Sequence, residues 1–293
     1  MVRVHLDTDI GGDIDDLCAL ALLLRAPEVE ITGITTVIDH GGKRAGYARY
    51  ALELAGQPRI PVAAGADVSL GRYSMPTGLP PEGQFWPRPV PPLPGPLEAA
   101  LDLLADSIAG GAIVLGIGPF TNLALLEERE PGTLQRARMF LMGGHVRKAP
   151  PGFPQWDHQM DYNVQTDPAA AMLVLHAAQP TLVPIEATAQ TALHRSDLDA
   201  LRRGDALCQL LAAQGHAYAP EGEFINYQHD PLAVAIALGW SGVTIESLPL
   251  AITLEDGFVR IRERDDGVPM RVATGVDGEQ FSRYWLETVT NRV

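Results

Sequence analysis

Short apolar runs alternate along the chain with segments of helical hydrophobic spacing, beginning within the first residues. The apolar runs predict buried strands, whereas the segments that repeat apolar positions every three or four residues predict helices. Strands are predicted at residues 2–6, 31–38, 60–64, 112–117, 139–142 and 182–185. Helices are predicted at residues 14–25, 44–55, 122–128 and 168–178. This alternation predicts an α/β fold with an open, mostly parallel central sheet and helices on both faces.

Two segments interrupt the alternation. Residues 67–96 hold nine of the 24 prolines, too many for regular structure, and residues 144–162 are rich in Pro, Trp and His. A connection as long as the first is either a functional lid or a plain surface excursion, and both interpretations stay open. Strands at 248–254, 258–263 and 270–276, separated by Asp-Gly turns, and a helix at 279–291 are predicted to close the chain. With no internal repeat or linker, a single domain spanning residues 1–293 is expected.

The composition narrows the function classes. The 22 Lys and Arg against 36 Asp and Glu give a formal net charge of −14, which repels phosphate backbones, so no nucleic-acid partner is expected. The two cysteines, Cys18 and Cys208, exclude a disulfide framework and a Cys-based zinc site, and they fit a reducing compartment. No signal-peptide pattern and no apolar run of about 18 residues occurs. A soluble, cytoplasmic protein without a membrane partner is therefore expected.

The strongest local signal lies where the first predicted strand ends and the first helix begins. Five carboxylates fall within ten residues there: Asp7-Thr8-Asp9-Ile10-Gly11-Gly12-Asp13-Ile14-Asp15-Asp16. In open α/β sheets ligands bind at the carboxyl ends of strands, and crowded carboxylates need a cation or raised pKa values. Oxygen ligands favour a hard ion, Ca²⁺ or Mg²⁺. The helix dipole alone explains Asp15 and Asp16, but not Asp7 and Asp9 on the strand.

Other motifs for common chemistries are incomplete. An EF-hand loop beginning at Asp7 requires a Glu where the chain has Cys18, and a haloacid-dehalogenase-type phosphatase requires Thr or Val where it has Gly11. Residues 116–121 lack the third glycine of a dinucleotide-binding turn. Neither a Gly-x-Ser-x-Gly motif nor a Gly-Lys-Thr phosphate loop occurs. Covalent serine chemistry and NTP hydrolysis are therefore poorly supported.

The acidic motif, followed by Ala19-Leu20, resembles that of the calcium-dependent nucleoside hydrolases, the inosine–uridine-preferring family. That family carries Asp-x-Asp-x-Gly-x-Asp-Asp, and some members insert two residues before the last Asp pair, as in this chain. Further similar stretches follow in the family's order at residues 33–37, 61–65, 118–124, 141–144, 161–163, 167–168 and 229–231. The resemblance implies a Rossmann-like core, hydrolysis of a ribonucleoside to base and ribose, and assembly as a homodimer or homotetramer.

The resemblance also implies the metal centre and the catalytic groups. Ca²⁺ is expected to be held by Asp9, Asp16, Asp230 and the backbone carbonyl of Ile117. Asp9 is further expected to act as general base for the attacking water, and His229 to face the leaving base and supply its proton. Cleavage of an N-glycosidic bond develops positive charge on the sugar, which an acidic pocket stabilises. A histidine titrates close to neutral pH, which suits it to this proton transfer.

A set of substrate-binding residues follows from the same resemblance. It comprises Asp15 for the ribose 2′-hydroxyl, Asn163 for the 2′/3′ edge, Met142 for the sugar pocket, Asp161 for the 5′-hydroxyl and His40 for a ribose or base contact. Asp7 is expected to hold the metal-binding residues in place without binding the ion itself.

The chain departs from the family pattern around the base and the 5′ end. Asp39-His40 replace the usual Gly-Asn, Asp161 is one methylene shorter than the usual Glu, and Gln155 or Trp156 occupies the stretch of an expected Asn. Two further hypotheses therefore stay open. The protein hydrolyses a modified nucleoside or another N-ribosyl compound, or it binds ribose without catalysis.

Overall fold

The chain forms a central sheet covered by helices. The computed structural model describes residues 1–71 and 75–291, so residues 72–74 of the proline-rich segment lie outside the described part. The strands are β1 (Val2–Thr8), β2 (Val29–Thr36), β3 (Val62–Ala64), β4 (Ile113–Gly116), β5 (Arg138–Met142), β6 (Thr181–Val183), β7 (Leu193–His194), β8 (Phe224–Asn226), β9 (Val243–Glu255), β10 (Phe258–Glu263) and β11 (Val268–Val276). The helices are α1 (Asp15–Arg25), α2 (Lys43–Leu54), α3 (Glu82–Phe85), α4 (Leu97–Ala109), α5 (Thr121–Arg129), α6 (Thr133–Arg136), α7 (Tyr162–Thr166), α8 (Pro168–Ala177), α9 (Ile185–Thr188), α10 (Arg195–Arg202), α11 (Ala206–Tyr218), α12 (His229–Ala237) and α13 (Gly278–Thr290).

Nine strands form one sheet in the order β10-β9-β11-β6-β5-β4-β1-β2-β3. Neighbours from β3 to β6 all pair in parallel, and β11 adds to β6 in parallel as well. Within this sheet the antiparallel pairs are those of β9 with β10 on one side and with β11 on the other, while β7 and β8 form a separate antiparallel pair. The predicted strand-rich C-terminal segment therefore extends the edge of the same sheet. The prediction of a mostly parallel α/β sheet is confirmed.

Successive side chains of β4 enter two different cores, because side chains of a strand alternate between the faces of a sheet. Leu115 packs in the core that contains Leu20 of α1 and Leu232 of α12. Val114 packs in the other core, with Leu104 of α4. Helices thus cover both faces of the sheet, as the continuous apolar runs of its strands predict.

The strand order reverses direction between β1 and β4. From β1 the chain proceeds through β2 to β3 on one side, and from β4 through β5 to β6 on the other. In such sheets a crevice opens outside the carboxyl ends of the two strands that flank the reversal. Asp9 follows β1 directly and Ile117 follows β4 directly, so both lie at this crevice.

Several predicted boundaries differ from the structure. The predicted strand at 182–185 ends at Val183, because Pro184 follows and α9 begins at Ile185. The predicted strand at 248–254 begins five residues earlier, at Val243. Within residues 1–71 and 75–291, no helix is both long and apolar enough to cross a membrane.

Candidate active site

A cavity of about 620 Å³ opens at the carboxyl ends of β1 and β4. Its wall combines an acidic floor with apolar and aromatic sides. The lining residues are Asp9, Gly12, Asp13, Asp15, Asp16, Arg44, Pro76, Gly78, Leu79, Pro80, Phe85, Ile117, Met142, Trp156, Met160, Tyr162, Asn163, Ile185, Tyr218, His229 and Asp230. The structure thus brings together eight of the site residues predicted from the sequence: Asp9, Asp15, Asp16, Ile117, Met142, Asn163, His229 and Asp230.

The acidic floor of the cavity consists of Asp9, Asp13, Asp15, Asp16 and Asp230, whose carboxylates lie close together with little exposure to water. Asp9, Asp15, Asp16 and Asp230 are buried, and Asp13 is half-buried beside them. Burial raises the pKa of Asp9 to about 6, and burial together with the neighbouring carboxylates raises the pKa values of Asp15, Asp16 and Asp230 well above their ordinary values. Carboxylates in such a site either take up protons or bind a cation.

One carboxylate oxygen each from Asp13, Asp15 and Asp16 lies within 4.8 Å of the others, a spacing that could hold a metal ion. Asp13 carried no predicted role, although it belongs to the acidic motif. Its place in the group depends on the turn between β1 and α1, whose path the spacing of the motif does not give. A purely oxygen donor set suits a hard divalent cation.

The turn between β1 and α1 is shaped by its contacts. Gly11 has φ +107°, and a side chain there would stand 2.5 Å from the ring of Tyr47, so glycine is required. The Thr8 hydroxyl donates to Asp16, and the backbone N–H of Ile10 donates to the same hydroxyl at 3.2 Å. The N–H of Asp230 lies 3.4 Å from a carboxylate oxygen of Asp15, which brings the start of α12 against the start of α1.

Asp7 lies behind the floor and does not line the cavity. Its Oδ1 accepts hydrogen bonds from the Thr35 hydroxyl at 2.6 Å and the Asn122 amide at 2.7 Å. Its Oδ2 has no hydrogen-bond partner in the described part of the chain, and burial raises the pKa of Asp7 to about 7. Asn122 also donates to Thr36 O, so Asp7 ties the ends of β1 and β2 to the start of α5.

Arg44 is a buried cation beside the floor that the sequence reasoning missed. Its Nε donates to Ile38 O at 2.8 Å, and its Nη1 donates to Ile10 O at 3.2 Å and to Asp9 O. The same Nη1 lies 3.8 Å from an Asp9 carboxylate oxygen, and its charge lowers the pKa of Asp9 against the effect of burial. The sequence spacing could have indicated its burial, because Arg44 lies on the same helix face as Ala48 and Ala51, which are buried.

Asn163 links the ends of two neighbouring strands. Its Nδ2 donates to Ile117 O at 2.9 Å and to Met142 O at 3.1 Å, and it lies 3.2 Å from the Met142 sulfur. The Ile117 carbonyl keeps a second lone pair, since a carbonyl oxygen accepts two hydrogen bonds or one bond and one metal ion. The Asn163 Oδ1 is left as the acceptor that this side chain can offer to a ligand.

His229 is the first residue of α12 and lines the cavity. Its Nδ1 lies 2.6 Å from the Thr188 hydroxyl, and its ring centroid is 5.8 Å from that of Trp156 and 5.7 Å from that of Tyr227. Burial lowers the pKa of His229 to about 4. The expectation that this histidine titrates near neutrality is therefore not met in the folded chain, and His229 is neutral at pH 7.

Two predicted substrate contacts lie outside the cavity wall. Asp161 is 1% exposed and caps α7, because its Oδ2 accepts the N–H of Gly144 at 2.5 Å and its Oδ1 that of Val164 at 3.3 Å. His40 is exposed, and its Nε2 lies 2.7 Å from Thr77 O in the proline-rich segment. Their roles as 5′-hydroxyl and ribose or base contacts stay predictions, and the structure brings neither side chain among the lining residues.

The proline-rich segment supplies one wall of the cavity. Pro76, Gly78, Leu79, Pro80 and Phe85 line it. Of the two interpretations left open for residues 67–96, the described part of the segment favours a binding loop, because it covers the acidic floor.

Comparisons with known proteins agree with one another. The family model described as "Inosine-uridine preferring nucleoside hydrolase" matches residues 4–283. The pyrimidine-specific ribonucleoside hydrolase RihA of Salmonella paratyphi C is 30% identical over 214 residues, which cover 68% of this chain. An uncharacterized protein of Schizosaccharomyces pombe is 32% identical over 206 residues, 67% of this chain. These matches span 65% and 64% of the relatives' own lengths, respectively.

Solved structures extend the likeness to the whole fold. A plant nucleoside hydrolase, the PpNRh1 enzyme, superimposes with a TM-score of 0.82 at 24% identity, covering 99% of both chains. A purine-preferring ribonucleoside hydrolase from Gardnerella vaginalis gives a TM-score of 0.79 at 24% identity, covering 98% of both chains. At this identity the likeness establishes a shared fold.

Proposed function

The chain belongs to the inosine–uridine preferring nucleoside hydrolase family, and from this premise we propose that it hydrolyses the N-glycosidic bond of ribonucleosides to free base and ribose. The observation that carries the proposal is the acidic floor, where four buried carboxylates meet the Ile117 carbonyl and Asn163 in one cavity. The names of the Salmonella and Gardnerella relatives support the same reaction class.

We propose Ca²⁺ as the ion of this site, held by Asp9, Asp16, Asp230 and the carbonyl oxygen of Ile117. The donor set fits, since all four ligands are oxygens and the three carboxylates outweigh the charge of the ion. Ca²⁺ takes six to eight oxygen ligands, so about two to four positions would be left for water and for substrate hydroxyls. When bound, the ion would lower the pKa of an attacking water.

In the proposed reaction Asp9 removes the proton of the attacking water. A carboxylate base is suited to this, because Arg44 behind it holds the Asp9–Ile10 backbone and counters the effect of burial on its pKa. Asp15 accepts the hydrogen bond of the ribose 2′-hydroxyl, and the Asn163 Oδ1 accepts that of the 3′-hydroxyl. The negative charge of the floor stabilises the oxocarbenium-like sugar as the bond to the base lengthens.

His229 assists the leaving base as a neutral hydrogen-bond donor in this proposal. When its Nδ1 accepts from the Thr188 hydroxyl, the ring proton resides on Nε2 and is free for the base. A neutral donor agrees with a pKa lowered to about 4 by burial. Trp156, which lines the cavity beside the imidazole, offers aromatic surface to the base.

The experiment that tests the proposal compares inosine with 2′-deoxyinosine. Because the ion and Asp15 both use the 2′-hydroxyl, loss of that group leaves buried polar partners unpaired, and kcat/KM should fall by about 10⁴-fold. Equal kcat/KM values for the two nucleosides would refute this use of the floor.

A further inference from the structure

The carboxylate that the resemblance assigns to the 5′-hydroxyl is not among the lining residues of the cavity. Both carboxylate oxygens of Asp161 accept backbone N–H groups, from Gly144 and Val164. The Gln155 amide is turned to backbone carbonyls, with Nε2 donating to Ala149 O at 3.1 Å and to Phe153 O at 3.0 Å. Neither residue lines the cavity.

Tyr162 stands next to these residues and does line the cavity. It is the first residue of α7, half-buried, between the cap Asp161 and Asn163. Burial, together with the smaller effect of the Asp9 charge, raises the pKa of its phenol to about 12, so the group is a neutral O–H at pH 7. Tyr162 lines the same cavity as Asp9, which follows β1 directly, and Arg44.

The order of atoms in ribose decides which part of the sugar meets Tyr162. C1′ adjoins C2′, and C4′ adjoins C3′. In the proposed complex Asp15 and His229 hold the C2′ and base side, while Asn163 holds the C3′ side. The C4′–C5′ arm therefore extends past Asn163, away from His229, toward the first turn of α7.

Two neighbouring side chains on this side already donate to backbone carbonyls. The Nε and Nη1 of Arg44 donate to backbone carbonyls, and the Nδ2 of Asn163 donates to Ile117 and Met142. The Tyr162 hydroxyl is a donor that the described lining of this side offers to a ligand. Its alternative partner is the Thr166 hydroxyl one turn further along α7, which lies near enough to lower the phenol pKa.

We propose that Tyr162 is the substrate-binding residue that hydrogen-bonds the 5′-hydroxyl of the ribose, in place of the carboxylate at position 161. This inference rests on the proposed function, because the placement of the sugar comes from the roles of Asp15, Asn163 and the ion. It makes Tyr162 a determinant of selectivity for an unmodified 5′ arm.

The test removes one hydroxyl from the protein and one from the substrate, separately and together, as in a double-mutant cycle. Inosine and 5′-deoxyinosine are compared as substrates of the wild type, Y162F, D161N and Y284F. The last is a matched control, since Tyr284 lies on α13 and stacks on Trp240 away from the cavity. One hydrogen bond supports an expected loss of about tenfold in kcat/KM for inosine in Y162F, with 5′-deoxyinosine turned over as in the wild type.

Equal losses for both substrates in Y162F would overturn the inference, because they would show a packing role for the ring or a bond to Thr166. A selective loss for inosine in D161N, with Y162F unchanged, would also overturn it. If the wild type hydrolyses neither nucleoside, the proposed function fails, and both compounds become stable ligands for calorimetry with Ca²⁺ present. If the wild type then binds inosine more tightly than 5′-deoxyinosine and Y162F binds both equally, the inference is still supported. If Y162F keeps the same difference in affinity, the inference is overturned.

Discussion

Glu186 shows how burial acts on a single residue outside the proposed chemistry. Its Oε1 accepts the N–H groups of Val146 and Arg147, both at 3.0 Å, while its Oε2 has no partner among the described residues. Burial raises its pKa from 4.5 to about 7. Because the folded state holds the proton more tightly, the stability gained from protonation is complete below pH 4.5 and is lost as the pH rises through 7.

The variant E186Q tests this effect. Glutamine keeps an acceptor at Oε1 and carries no charge at any pH. The unfolding temperature of E186Q minus that of the wild type should therefore increase from pH 4.5 to pH 8. The control E98Q removes an exposed carboxylate on α4 and should follow the wild type. Parallel pH curves for E186Q and the wild type would contradict a raised pKa at position 186.

At the same scale, the carboxylates of the site were predictable but their neighbours were not. Asp9, Asp15 and Asp16 stand at a strand end and a helix start, which the local pattern gives directly. Arg44 and Tyr162 depend on how α2 and α7 pack over the sheet. A lone Tyr in a helix is usually explained by an interfacial position, so Tyr162 draws no attention in the sequence, and Arg44 is marked only by the apolar helix face that it shares with Ala48 and Ala51.

Among the elements, the proline-rich segment depends on α2 for its position. Glycine at 42 and 46 lets the segment lie directly on the helix, because a side chain at either position would stand 2.3 Å from its backbone. The Lys43 ammonium lies 2.7 Å from the Glu82 carboxylate and donates to Val90 O at 2.9 Å. Trp86 is buried and stacks on Tyr47 at 4.1 Å. The cavity wall formed by this segment is therefore anchored at its far end.

Replacement of the anchor, W86A, should weaken substrate binding more than catalysis. Without the stacked ring, Leu79 and Phe85 lose their fixed place at the cavity. The loss of about one apolar contact supports a rise of roughly tenfold in KM, with kcat changed little, because the acidic floor belongs to other elements. R88A, which removes an exposed side chain of the same segment, is the control. An unchanged KM in W86A would show that the wall does not contact substrate.

Helix α12 was missed because its pattern is uniformly apolar, and the amphipathic helices α4 and α10 were also absent from the predicted elements. α12 is buried on nearly all sides, and its run Pro231-Leu232-Ala233-Val234-Ala235-Ile236 has no polar face from which to read a helical period. The turn between β9 and β10 was predicted from Asp256-Gly257, and both residues have the positive φ that such a turn requires.

For the whole molecule, sequence alternation predicted the sheet but not its order. The reversal between β1 and β4 depends on which strands pair, and pairing is set by contacts between segments distant in sequence. That reversal brings residues as far apart as Asp9 and Asp230 into one cavity. The net charge of −14 adds a field that disfavours anionic ligands, in keeping with an uncharged nucleoside as substrate.

The most direct test of the central claim is ribose release from inosine, adenosine, guanosine, uridine and cytidine by the purified protein. The reaction is run with Ca²⁺, with a chelator, and after Ca²⁺ is restored, using the wild type, D9N and the control D106N, which changes an exposed residue of α4. Release that stops with chelator and returns with Ca²⁺, and a kcat lowered about 10²–10⁴-fold in D9N alone, is the predicted result. Release that is indifferent to the chelator, or no release from any of the five nucleosides, would contradict the proposed Ca²⁺-dependent ribonucleoside hydrolysis.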